Sequence, residues 1–376
     1  MESDLPDTKW QRRASPALAL ALLTSIGVIG FVDRIIMNVL VEPIKADFGL
    51  SDVQIGLVNG LAFAVLNVVL GLFVARLAER VRRLTLVAIG TFFWSLATAA
   101  TGLASSFMQL LVARMSVGVG EAVGLPSTNS LVSDYFPPQR RASALSVLHL
   151  SPPLGAFIGA AGGSLIAQAY GWQAALFAAA LPGLVLAGLV HIFVAEPVRG
   201  QFDDVPADDA VPPMKAVIAR YLTWPTMRHM LMGSAIAALI GYGINAFIAA
   251  YFMRRFGFSL VEAGLVSGFV AALPASISII GSGLLVDRWA ATNRKGYALL
   301  PAFSFVVAVP LLLLAMAQTK PAFAIALVGL AALFQYSYFG PTFGTFQNML
   351  HPRMRATGSA FSNLIYSLVG GGLGPV

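Results

Sequence analysis

Four charged residues stand in stretches that are otherwise apolar: Asp33 and Arg34 in one, Arg114 and Glu121 in another. Carboxylates and guanidiniums buried together can do few things. They can take up and release protons, hold an anionic group, or form a static ion network that fixes helix register. If those stretches lie in lipid, each charge costs at least about 2.5 kcal/mol near the bilayer centre unless paired or hydrated, so all four are expected to face an internal cavity. Arg114 and Glu121 are seven residues apart, two helical turns or about 10.5 Å along the axis. They are too far apart to touch each other but suited to bracketing a partner on the helix of Asp33 and Arg34. Those two, being adjacent, lie about 100° apart around their helix and cannot point the same way. We read the set as a four-member network. Asp33 and Glu121 are the candidate proton-coupling groups. Arg34 and Arg114 are the candidates for binding a substrate's anionic group or for gating, pairing with Asp33 or Glu121 when no substrate is present. A static network is the competing reading.

Neutral polar residues recur in later apolar stretches, among them Tyr242, Asn245 and Tyr336. A cavity that binds an amphiphile needs a polar pole and an aromatic or apolar pole. These three are the candidate substrate contacts opposite the charges, with interhelical hydrogen bonding as the plainer alternative. His149 precedes Ser151-Pro152-Pro153 and reads as a packing residue that could also titrate. Gly155, Gly159 and Gly163 recur every fourth position and form a stripe for close helix approach.

Several chemistries are disfavoured. There is no cysteine, so disulfides, iron–sulfur clusters and thiolate zinc sites are excluded. The four histidines (149, 191, 229 and 351) are scattered, without HExxH, GxSxG or the phosphate-cradling GxxxxGK[ST]. The chain reads as a non-enzyme with no cofactor and no metal site.

The elements that must position these residues follow from composition. Of 376 residues, 57% are hydrophobic and 11% charged, against roughly 25% charged in a typical soluble domain. So few charges cannot cover a water-exposed surface. Ala142 to Ala195 runs 54 residues without Asp, Glu, Lys or Arg, far longer than the ~20 residues that cross a bilayer. It must turn back on itself, and Tyr170-Gly171-Trp172-Gln173 is the place. Spans are expected at about 16–40, 51–75, 84–105, 107–133, 141–169, 173–194, 229–253, 260–286, 297–318, 321–350 and 356–376. With the N-terminus in the cytoplasm, 18 of the 24 Lys and Arg fall on inside segments and four outside (Lys45, Arg254, Arg255, Lys320), leaving Arg34 and Arg114 within spans. That asymmetry is the positive-inside pattern. It accounts for the net charge of +7 without a nucleic-acid partner.

The halves repeat. Ser51 with Gly56-Leu57-Val58 matches Ser259 with Gly264-Leu265-Val266, and Glu79-Arg80 matches Asp287-Arg288, all at an offset of 208. Pro126, Pro137, Arg140, Gly155 and Gly159 match Pro341, Pro352, Arg355, Gly370 and Gly374 at 215. Two parallel six-helix repeats joined by a cytoplasmic loop is the layout of the major facilitator superfamily. The expected fold is therefore an all-α membrane protein of two pseudo-repeated six-helix bundles, eleven spans being present and the twelfth apparently missing. Its parts are a cytoplasmic tail (1–15), an N-terminal bundle (16–197), a polar cytoplasmic linker (198–227) and a C-terminal bundle (228–376).

The loop Ala75-Arg76-Leu77-Ala78-Glu79-Arg80-Val81-Arg82-Arg83 resembles that superfamily's signature loop, with Glu79 where Asp is usual and Leu84 where the final basic residue would stand. Such a loop can pair its carboxylate with a neighbouring helix end and its arginines with the opposite half, latching the cytoplasmic side. Glu79, Arg80, Arg83, Asp287 and Arg288 are the candidate latch. Asp33-Arg34, Leu50-Ser51-Asp52, Trp94-Ser95, the stretch from Arg114 through Glu121 to Arg141, Gly171-Trp172, Leu181-Pro182-Gly183 and Glu196-Pro197-Val198-Arg199-Gly200 together resemble the spinster-like branch. The resemblance implies alternating-access secondary transport of an amphipathic, lipid-like or anionic organic molecule, coupled to protons. It also implies a functional role for the four intramembrane charges. Small organic-anion symport, drug efflux by antiport and a non-transporting receptor or scaffold are the alternatives. The expected setting is the inner membrane as a monomer, with substrate, protons and the bilayer as partners.

Overall fold

The computed structural model describes residues 15–51, 54, 57–58, 62–203, 211–258 and 260–371. Among the described residues there is no strand. The first half contains α1 (Pro16–Val39), the short α2 (Val41–Phe48), α3 (Ala62–Ala78), α4 (Arg83–Gly102), α5 (Phe107–Glu121), α6 (Gly124–Tyr135), α7 (Arg141–Leu148), α8 (Ser151–Tyr170) and α9 (Trp172–Phe193). A linker helix, α10 (Met214–Thr223), leads to α11 (Pro225–Phe256), α12 (Leu260–Ala290), α13 (Gly296–Met316), α14 (Pro321–Gln335), α15 (Phe339–Met349) and α16 (Arg355–Tyr366). Eight stretches among the described residues are long and apolar enough to cross a membrane. The chain is a multi-pass membrane protein. Of the spans expected from sequence, 51–75, 229–253, 260–286 and 356–376 run into residues or side chains outside the described set.

Three spans expected to be continuous are broken in mid-course. All three breaks have one cause: proline lacks an N–H and leaves the carbonyl four residues back without its helical donor. Pro126 lies beyond the break at Ala122-Val123, and Pro341 lies beyond the 3-10 turn Tyr336–Tyr338. Pro152 and Pro153 follow the break at His149-Leu150; there the Ser151 hydroxyl takes over, donating to the freed Leu148 carbonyl at 2.7 Å. The hairpin expected at residue 171 is present, with Gly171 at φ +88°, a backbone conformation that favours glycine.

The glycine stripe packs α8 onto α1. A Cβ at Gly155 would lie 2.4 Å from Phe31 Cβ, one at Gly159 would lie 2.9 Å from the Val32 carbonyl, and one at Gly163 would lie 2.5 Å from Ile36 Cγ1. This close approach holds the segment of α1 that carries Asp33 and Arg34. The linker carries a helix that its polar composition does not suggest: Val217 and Tyr221 of α10 are fully buried against Phe346 and Leu350. The halves meet mainly where α7 and α8 pack on α12, α7 on α15, and α16 on α3 and α6.

Candidate functional site

The four intramembrane charges form two pairs between α1 and α5. Arg114 Nη1 donates to Asp33 Oδ2 at 2.8 Å, and Thr98 of α4 donates its hydroxyl to Asp33 Oδ1 at 2.6 Å. Arg34 donates to Glu121 Oε2 through Nε, and its Nη2 lies at 2.6 Å from the same oxygen. The spacing explains the choice: α1 turns its neighbouring charges to different azimuths, and α5 presents partners two turns apart. The pairs differ in access. The Arg114 and Asp33 side chains are 1% and 2% exposed. Arg34 is 37% exposed while Glu121 is 3% exposed, and the Arg34 guanidinium sits 5.2 Å from the Phe31 ring centroid. Glu121 Oε1 is buried and has no hydrogen-bond partner among the described residues.

Glu121 is the last residue of α5, at the break before α6. The repeat offset of 215 takes it to Tyr336, at the break between α14 and α15. The ring of Tyr336 lies 6.3 Å from Phe339 at an interplanar angle of 14°. Tyr242 is half-exposed and lies against Gly370, where a Cβ would come within 2.8 Å of its ring. The Asn245 side chain lies outside the described residues. His149 is buried and stacks on Phe343 of the second half at 4.1 Å.

A second charged cluster ties the halves together at the end that carries the 79–83 loop. Glu79 is fully buried. Its Oε1 accepts from the backbone N–H groups of Ala356 and Thr357, at the start of α16, and Arg199 Nη1 pairs with its Oε2 at 3.2 Å. A carboxylate there satisfies orphan donors and faces the positive end of the helix dipole. Burial pushes the Glu79 carboxyl above its ordinary value, outweighing these donors. Asp287 acts in the mirror sense, accepting from the Ser143 backbone N–H at 2.9 Å and the Ser143 hydroxyl at 2.6 Å near the start of α7.

The arginines depart from the expected latch. Arg83 turns into its own half, pairing with Asp134 at 2.5 Å and Glu196 at 2.9 Å. Its position at the start of α4, beside the Glu196 carboxylate that accepts from the Leu84 N–H, leaves it no path to the other half. Arg80 and Arg288 are exposed. The cross-half ion pairs belong instead to residues outside the expected latch. Arg355 pairs with Asp134 at 2.7 Å, both fully buried, and with Asp203 of the linker at 2.7 Å. Arg141 pairs with Asp203 at 3.0 Å and donates to Asn348 across the interface at 3.0 Å. Burial raises the Asp203 carboxyl, but Arg141 and Arg355 outweigh it and hold the group below its ordinary value. The sequence signals for this cluster were Asp134 followed by Pro137 and Arg140-Arg141, which also reads as a plain interfacial turn, and the match of Arg140 to Arg355, which marked the repeat without naming a partner.

These features coincide with a known architecture. The sequence profile of the Major Facilitator Superfamily matches residues 22–375, and the chain belongs to that family. It is a transporter, not an enzyme. Within the family it is similar to spinster proteins. A bacterial homologue of the human lysosomal transporter Spinster, in an inward-facing and unoccupied conformation, superposes with a TM-score of 0.64 at 29% identity, covering 96% of this chain and 81% of that one. The Sphingosine-1-phosphate transporter SPNS2 of Danio rerio is 31% identical over 199 residues, 51% of this chain but 38% of that protein. An MFS-type efflux pump of Mycolicibacterium smegmatis is 31% identical over 376 residues, 100% of this chain and 86% of that protein.

Proposed function

We propose that the chain is a proton-coupled secondary transporter that moves an amphipathic, lipid-like or anionic organic molecule by alternating access. The observation that carries this is the unequal exposure of the two ion pairs. The Arg34 side chain is 37% exposed while its counter-ion Glu121 is 3% exposed, with one oxygen that has no hydrogen-bond partner among the described residues. An anionic head group arriving at Arg34 competes with Glu121, and a displaced buried carboxylate is relieved by taking a proton. Substrate and proton are thereby linked at one guanidinium. Asp33 and Arg114, buried behind this pair, form the second exchange site. The aromatic side of the second half at Tyr242 and Tyr336 supplies the apolar pole.

The cross-half contacts close the end that carries the 79–83 loop, and the distribution of Lys and Arg supports a cytoplasmic location, at the inner membrane, for that end and for the N-terminus. The present arrangement then has its cytoplasmic side shut, and transport requires that cluster to part. The chain acts as a monomer in this reading. Drug efflux by antiport is a second reading, favoured by the full-length match to the efflux pump. Hexuronate transport by a Bacillus subtilis relative, 28% identical over 276 residues, keeps small organic anions in view.

The test is flux in proteoliposomes under an imposed pH gradient, with lysophosphatidylcholine, sphingosine-1-phosphate, glucuronate and ethidium as probes. One probe should accumulate with the gradient. Asp33→Asn and Glu121→Gln should abolish the gradient dependence while leaving exchange of labelled for unlabelled probe. Gradient-driven flux of normal size in both variants would end the coupling proposal.

A further inference from the structure

Asp33 has two donors of different kinds, and the difference has a mechanistic meaning. Arg114 reaches Oδ2 at 2.8 Å and the Thr98 hydroxyl reaches Oδ1 at 2.6 Å. A guanidinium has only donors, so it suits a carboxylate ion and offers nothing to the O–H of a carboxylic acid. A hydroxyl carries one donor and two acceptor lone pairs and can turn. In a helix it also has a second acceptor within reach, the carbonyl four residues back. The next hydroxyl along α4 already uses that option: Thr101 donates to the Ala97 carbonyl at 2.9 Å. For Thr98 the corresponding acceptor is the carbonyl of Trp94.

We propose that Thr98 is a positioning residue for Asp33, donating to the ionised carboxylate and turning to accept from the protonated acid. The inference rests on the reading that Asp33 carries a proton. The balance is simple. One proton arrives and forms an O–H bond at Asp33 Oδ1. The Thr98 proton changes acceptor from Asp33 to the Trp94 carbonyl, and the freed Thr98 lone pair accepts the new Asp33 O–H. No other group gains or loses a proton. Thr98 therefore partners Asp33 in both states, whereas the ion pair with Arg114 exists in only one. Protonation releases Arg114 without stranding Asp33 in an apolar interior.

Among the described residues, the charges around Asp33 do not supply this role. From α5 it faces Arg114 and Glu121, and Arg34 of its own helix is held by Glu121. The α8 helix packs glycines against α1, and α9 brings only His191, which is exposed. Asp134 and Arg141 of α6 and α7 are engaged at the loop end, and His149 is stacked on Phe343. On α2, Asp47 accepts from the Trp172 indole and Lys45 stands on the same short helix.

The test uses the full chain in detergent and infrared difference spectroscopy over pH, with the protonated-carboxyl band lost in Asp33→Asn taken as that of Asp33. Thr98→Val keeps the shape and removes the hydroxyl; Thr98→Ser keeps the hydroxyl. Thr98→Val leaves the O–H of the protonated Asp33 without its acceptor, so that band should move to higher frequency, whereas Thr98→Ser should keep the parental position. A role in packing alone, or as a donor to the ionised form alone, leaves the band of the protonated acid in place. A valine variant with the parental band position, or a serine variant displaced as far as valine, overturns the role of Thr98 and leaves Asp33 as carrier. Absence of any band sensitive to Asp33→Asn overturns both.

Discussion

The two charged regions are built from the same side chains and obey different rules. In mid-membrane, Asp33 with Arg114 and Arg34 with Glu121 pair entirely within the first half. At the loop end, Asp134 with Arg355, Asp203 with Arg141 and Arg355, and Glu79 with the start of α16 join one half to the other. A rigid-body parting of the halves leaves the first set intact and must break the second. The inner set can therefore change only when a proton or ligand changes it. The outer set reports conformation. The coupling of the two is what a secondary transporter requires.

This contrast can be broken by experiment. The chain has no cysteine, so Gln139→Cys and Asn293→Cys, both at exposed positions on opposite halves of the loop end, give a clean spin-label pair. The largest effect is expected from Asp134→Asn, which leaves two buried arginines short of a partner. Closure should lose about 3 kcal/mol, the low end for a broken buried pair, because Arg83 keeps Glu196 and Arg355 keeps Asp203. The label distance should lengthen. Asp33→Asn should leave it unchanged without ligand; if it opens the loop end as far as Asp134→Asn, the separation of the two regions fails.

Gly283→Ala comes next. Its Cβ would lie 2.8 Å from the Ala142 carbonyl oxygen and 2.8 Å from Ser146 Cβ, so helices from opposite halves must move apart, at about 1–3 kcal/mol of overpacking. A longer label distance with unchanged probe affinity at Arg34 is the expected result. Asn348→Ala removes two cross-half hydrogen bonds, the one accepted from Arg141 and the one donated to the Pro138 carbonyl, and should weaken closure by about 2 kcal/mol, the low ends for a charged and a neutral bond together.

The smallest effect is a pH slope. Glu79 is raised by burial in the closed form, so closure binds its proton more tightly than an open, hydrated Glu79 would. That contribution is complete below the ordinary carboxylate value and fades as pH climbs through the raised one. Glu79→Gln should flatten this dependence. Asp203 has the opposite sign: it is lowered, so its contribution is present at neutral pH and disappears only as pH falls below the ordinary aspartate range. A closed population that rises with pH between about 5 and 8 in the parent would contradict the Glu79 assignment.

Much of the fold was legible because lipid leaves little choice. A 54-residue charge-free stretch with Gly171 inside it can only be a hairpin of two spans. The repeat offsets pointed to the twofold construction, and the stripe of Gly155, Gly159 and Gly163 marked a tight helix contact. The helix breaks were less visible. Pro126 and Pro341 were noted as repeat markers, yet whether a proline kinks a span or divides it depends on what its neighbours offer the freed carbonyl.

The site was legible in part for the same reason. Asp33, Arg34, Arg114 and Glu121 stand out because a charge in an apolar run has no cheap explanation. Asp134, Arg355 and Asp203 do not stand out, because a charge near a span end is ordinary and its partner lies 221 or 152 residues away. Local composition and periodicity determined that this chain crosses a membrane repeatedly, in two similar halves, with charges in its interior. Only the tertiary structure decided that Asp33 takes Arg114, that Arg34 takes Glu121 and stays partly exposed, and that Arg83 pairs within its own half while Arg355 crosses. Burial is a property of residue type and can be read along a chain; pairing is a property of three-dimensional distance, which a linear sequence does not contain.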